Sequence, residues 1–118
     1  MLREFAAYKF RYETPGKNGV TAAEELEALE KRSRGKRLLP DKPELPFIVE
    51  HIWTWFQELS ATRGGGFGPA PITYQEIEAW SRLTGNRPTP WEVTQIKMLD
   101  AEYFAWQAEK AEKETGTP

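Results

Sequence analysis

From residue 47 onward, apolar side chains recur at steps of three and four, the spacing that places them along one side of an α-helix. In "FIVEHIWTWFQELSATR" the stripe runs through Ile48, Ile52, Trp55 or Phe56, and Leu59, with Val49, Trp53 and Phe56 as a second line beside it. That stripe is wider than the surface helix of a monomer needs. Gly64 follows as a left-handed stop. A second helix is predicted over "TYQEIEAWSRLTG": Thr73 caps, Glu76 completes a capping box, Tyr74, Ile77 and Trp80 face one way, and Gly85 closes it. The next helix repeats the device with Thr89 at the cap, Pro90 at the first helical position and Glu92 as reciprocal partner. Its stripe is Ile96, Leu99, Tyr103 and Trp106, and nothing breaks residues 91–115, giving a rod of ~35 Å at 1.5 Å per residue. The polar end of this rod is expected to fray.

The first 45 residues are less regular. "LREFAAYKF" makes two helical turns with Leu2, Phe5 and Tyr8 on one side, and "ETPGKNG" then interrupts with two turn-forming pairs. "TAAEELEALEKRSR" starts on a Thr21/Glu24 capping box and ends on Lys31, Arg32 and Arg34, which suit the helix dipole. Its apolar face, Ala22, Leu26 and Leu29, is thin, so a loosely attached helix is expected. Three prolines between Pro40 and Pro46 then make an extended linker. No segment reads as a strand. The expected fold is all-α: a short N-terminal helical region, a Pro-rich linker, and a small domain of three main helices. The expected division is an N-terminal extension over 1–45 (helix about 21–34), a helical core over 46–112 and a polar tail over 113–118.

Composition narrows the function classes. Hydrophobic residues make up 39% and charged residues 29% of 118 positions, enough for one compact core with polar ends. Five Trp, six Phe and four Tyr are too many for a disordered chain, because burying aromatic area offsets chain entropy. With no cysteine there is no disulfide, thiolate metal site or cysteine nucleophile. The charged start does not read as a signal peptide, and no stretch approaches the ~20 apolar residues of a membrane span. A net charge of -2 argues against a dedicated nucleic-acid binder.

Candidate chemistries were weighed on their residues. "RGGGFGPAPIT" (63–73) suggests a phosphate loop, but Pro69 follows Gly68 where a P-loop needs Lys and Ser/Thr. The segment therefore reads as a hinge between helices. His51 is the only histidine, with no nucleophile at helical spacing, and metal-ligand spacing is missing, so no enzyme, cofactor or metal is expected. Lys31, Arg32, Arg34, Lys36 and Arg37 form a basic run able to meet phosphates. It carries no interleaved aromatic and follows an acidic half-helix, which argues against nucleic acid as the partner. Trp53, Trp55 and Phe56, by contrast, cannot all face one interior, and Phe104 lies off the last helix's stripe. Some of these rings are expected to bury against another chain, because interface cores are rich in aromatics.

The succession "WTWFQELSATRGGGFGPAPITYQEIEAWSRLTGNRPTPWEVTQIKMLDAEY" resembles the tail assembly chaperones of long-tailed phages and prophages of Gram-negative bacteria. The Trp-rich helix, "GFGPAPITYQEIEAW", "LTG", "PWE" and "LDAEY" carry the likeness. It is closest in kind to the extension-type portion of the family's frameshift pair. The resemblance implies a helical, often oligomeric, non-catalytic protein of the host bacterial cytoplasm. Such a protein holds the tape measure protein soluble, recruits tail tube protein and leaves before the virion is complete. On that reading Trp53, Trp55, Phe56 and Phe67, with Phe104, form the partner surface, and Gly64–Gly66 let the first aromatic helix change its angle. Trp80, Trp91, Leu99 and Tyr103 would be mainly core. The competing classes are a small helical DNA-binding or regulatory accessory protein and a minor structural protein of the virion.

Overall fold

A computed structural model describes residues 2–33, 35–63 and 70–115. The fold is all-helical, as expected: five α-helices and one 3₁₀ turn, with no strand among the described residues. They are α1 (Leu2–Tyr12), α2 (Ala22–Arg32), the turn Phe47–Val49, α3 (Glu50–Ser60), α4 (Tyr74–Thr84) and α5 (Pro90–Thr115).

The helix starts are those that cap chemistry dictates. At α2 and α4 the hydroxyls of Thr21 and Thr73 accept the backbone N–H of Glu24 and Glu76, and those glutamates accept in return from the cap backbone. Thr89 and Glu92 make the same reciprocal pair at 2.7 and 3.2 Å at the head of α5. Gly85 ends α4 in the left-handed region at φ 79°, a conformation that costs a residue with Cβ but not glycine. Helix α3 departs from its predicted bounds. Phe47–Val49 make a 3₁₀ turn after Pro46, and the α-helix closes at Ser60; Gly64, its expected stop, lies outside the described residues.

The core gathers around α3. Ile52, Trp53, Phe56 and Leu59 are buried there with Ile72, Ile77 of α4, and Ile96 and Leu99 of α5. Helix α1 supplies the other wall: Leu2, Phe5 and Ala6 belong to the same cluster, although the Pro-rich stretch separates them in sequence. Ion pairs hold α1 along α5. The Arg11 guanidinium reaches Glu102 at 2.9 Å and Glu109 at 2.9 Å, and Arg3 adds a contact to Glu102 at 3.3 Å. Glu102 is buried, so these pairs also satisfy a carboxylate that burial would otherwise penalise.

Helix α2 buries no residue, as its thin face predicts. The stretch after it is held by hydrogen bonds: the Glu30 carboxylate accepts the N–H of Leu38 and Leu39 at 2.8 and 2.7 Å, and Lys42 reaches Glu13 at 2.9 Å.

The unequal burial of these helices predicts unequal mutational effects. Phe56→Ala should remove about 3–5 kcal/mol of stability in urea unfolding. Thr21→Ala, which costs its helix about 1 kcal/mol, should leave the global midpoint nearly unchanged and raise hydrogen exchange in α2 only.

Candidate partner-binding surface

The aromatic breadth of α3 is used inside the chain. At 100° per residue Trp53 and Trp55 lie about 160° apart on the helix, and each has its own neighbour. Trp53 packs edge-on against Phe5 of α1 (5.3 Å, 89°) and stacks on Phe56 (5.7 Å). Trp55 packs edge-on against Trp80 of α4 (5.5 Å, 70°) and touches His51 (4.8 Å). Trp53 and Phe56 are buried and Trp55 is half-buried. Phe104 is half-buried beside Tyr103 (5.4 Å, 88°). Phe67 lies outside the described residues, as do Gly64–Gly66 and Arg34. Thus α3 supports two neighbours at once, and among the described residues Trp53, Trp55, Phe56 and Phe104 do not come together on one open face.

The exposed apolar side chains sit elsewhere. Phe47 is 89% exposed, Ile48 78%, Leu83 85% and Trp91 57%, and Tyr74, at the head of α4 beside Lys97, is 67% exposed. Trp91 was expected in the core; stepping back from Ile96 by three or four residues reaches Val93 and Glu92, so Trp91 falls off the buried stripe. Leu83 likewise stands about 120° from the buried Ile77 on α4. Trp80 and Tyr103 are half-buried and Leu99 is fully buried.

Close contacts place Phe47, Ile48, Leu83 and Trp91 at one end of the molecule. Phe47 and Ile48 line a shallow depression of about 670 Å³ with Glu50, His51 and Thr54. His51 donates from Nε2 to the Glu92 carboxylate, next in sequence to Trp91. Trp55 meets Trp80, one turn before Leu83. The heads of α3 and α5 and the tail of α4 therefore share this end, and apolar groups from all three reach solvent. Burial alone would raise the Glu92 carboxyl, but the Thr89 amide and hydroxyl and His51 together hold it below the ordinary range.

A buried clamp positions α4 relative to α5. Arg63 and Asp100 pair with both side chains more than nine-tenths buried. Asp100 also accepts the Ile72 N–H at 2.9 Å, and Arg63 donates to the Ala70 carbonyl at 2.9 Å. The guanidinium lies 4.1 Å from the Tyr103 ring centroid, and Lys97 donates to the Ile72 carbonyl at 2.6 Å. Residues on both sides of the glycine-rich segment are thereby fixed to α5. Helical spacing alone gave Asp100 no role; an aspartate one position after the buried Leu99 was the available signal.

The basic run is spread on the surface. Lys31, Arg32, Lys36 and Arg37 are exposed, and Arg37 pairs with Asp41. Among the described residues no cluster of acidic or histidine side chains suits a metal, and no helix is long and apolar enough to cross a membrane.

Against this geometry, a family model described as phage tail assembly chaperone matches residues 26–105, well over half the chain. The chain belongs to the phage tail assembly chaperone family. The matched region begins within α2 and ends within α5, so it contains Phe47, Ile48, Leu83 and Trp91 as well as the Arg63–Asp100 clamp. Helix α1, which covers Trp53, lies before it. Comparison with curated proteins and with solved structures gives no match.

Two predictions follow from the polar contacts. Asp100→Ala should cost about 3–5 kcal/mol in urea unfolding by stranding a buried guanidinium, while the double change Arg63→Met with Asp100→Leu should recover most of that loss. The lowered Glu92 carboxyl contributes stability above the unfolded carboxylate pKa of about 4.3 and loses it as pH falls through the lower folded value. Glu92→Gln should accordingly narrow the stability difference between neutral and acid unfolding curves.

Proposed function

We propose that this chain is a non-catalytic assembly chaperone that covers an apolar helical segment of a tail protein in the host bacterial cytoplasm until the tail tube encloses it. The tape measure protein is the first partner by this reading, and tail tube protein the second. One observation carries it: four large apolar side chains, Phe47, Ile48, Leu83 and Trp91, stand more than half exposed at one end of the molecule. Scattered single apolar residues are ordinary on a protein surface, but a group of them drawn from three elements marks an interaction site.

Two further features support the reading. The accessible surface is 8356 Å², whereas a folded monomer of this mass exposes roughly 6,600 Å². The radius of gyration is 16.6 Å, against about 13.5 Å for a compact chain of this length. The molecule thus offers more surface than its own folding uses. Trp55, half-buried against His51 and Trp80, borders what a partner would cover, whereas Trp53 and Phe56 act by holding α3 in place; Phe104 sits farther along α5, beside Arg63.

Co-expression with the tape measure protein of the same gene cluster tests the proposal. The two should co-elute on size-exclusion chromatography, with the tape measure protein held soluble. Combining Phe47→Ser with Trp91→Ala should remove that co-elution while leaving the urea midpoint within about 0.5 kcal/mol, because exposed side chains contribute little to folding. Co-elution that survives this double change would place the partner surface elsewhere, and failure of the wild-type protein to bind would remove the proposal.

A further inference from the structure

We infer that the exposed apolar end is built for an amphipathic helix with an acidic flank, an inference that rests on reading this end as the partner surface. The charge pattern around the four apolar residues carries it. Arg82 sits beside Leu83 in the last turn of α4, and Arg87 lies in the α4–α5 connection, four residues before Trp91. Both are exposed, and neither forms an ion pair among the described residues. Glu78, one turn before Arg82 at a spacing where pairing is common, does not engage it.

The nearest carboxylate in sequence to Trp91 is already occupied. Glu92 accepts from the Thr89 amide at 2.7 Å and from His51, so its charge is spent inside the fold. Two exposed guanidiniums thus adjoin Leu83 and Trp91 in the chain, with no ion-pair partner among the described residues. At the Phe47 and Ile48 side the lining residue of opposite sign is Glu50, exposed and without an ion pair among the described residues. The exposed charges nearest in sequence are thus basic at Leu83 and Trp91, while the depression at Phe47 and Ile48 carries the acidic Glu50.

A helix laid on this end buries its apolar stripe against Phe47, Ile48, Leu83 and Trp91. Acidic residues along the side that meets Arg82 and Arg87 favour the complex, and lysines there oppose it. Charges at an interface rim act mainly on orientation and encounter rate, as flanking residues do in coiled coils. The partner is therefore selected by the sign of one flank as well as by its apolar stripe. The whole chain carries a net charge of -2, so attraction to an acidic helix has to come from this local pair.

The test uses two synthetic helical peptides with the same leucine stripe, one with glutamates along the flank and the other with lysines, and reads binding to the full chain by fluorescence anisotropy. The glutamate peptide should bind about three- to tenfold more tightly at low salt, with the difference shrinking at high salt. The double reversal Arg82→Glu with Arg87→Glu should invert the preference, and Leu83→Ser with Trp91→Ala should abolish binding of both peptides. Equal binding of the two peptides, or a preference that survives the reversal, overturns the inference. The co-expression result stands separately, so the chaperone reading could survive that outcome. Binding of neither peptide overturns the helical occupant, and so does a duplex DNA oligomer that displaces them through the same arginines.

Discussion

Helix α3 must bury aromatic side chains on two sides, and the arrangement of the other helices depends on that constraint. Trp53 and Trp55 project about 160° apart, so a single neighbour cannot cover both. Helix α1 covers the first through Phe5 and Phe10, and α4 covers the second through Trp80, while α5 closes the remaining side with Ile96 and Leu99. Aromatic pairs of this kind prefer edge-on or offset geometry, which sets how the neighbouring helices can approach.

Polar contacts then select one arrangement among those the apolar surfaces allow. Arg11 ties α1 to α5 through Glu102 and Glu109, and the Arg63–Asp100 pair ties the ends of the glycine-rich segment to α5. A buried pair is a poor source of net stability because desolvation offsets its attraction. Its effect here is geometric: a misplaced α4 would leave both charges and the Ile72 amide without partners. The same fixed placement of α4 and α5 brings Leu83 and Trp91 to the end where Phe47 and Ile48 emerge.

The apolar end and the core are thus two results of one packing scheme. Helices whose buried stripes face α3 cannot also bury residues that lie off those stripes. Leu83 and Trp91 are such residues, and Phe47 and Ile48 precede the first full turn of α3. In the proposed function these exposed residues put recognition at helix ends rather than in an enclosed cavity.

Sequence alone determined the local features. Capping boxes at Thr21, Thr73 and Thr89, the left-handed stop at Gly85, the all-α class and the family were legible because each depends on residues near one another in the chain. The pattern also showed that the apolar face of α3 is broad, but it pointed to a surface for another chain, whereas α1 and α4 of the same chain pack on it. It did not show which partner covers Trp53, since Phe5 lies 48 positions away across a turn, a thin helix and a Pro-rich stretch. Only the tertiary structure decided that α1 fills that place. Once it does, Trp53 and Phe56 become interior, and Phe47, Ile48, Leu83 and Trp91 are among the apolar side chains left exposed. Periodicity reports how wide an apolar face is, but its occupant depends on long-range packing that no local spacing encodes.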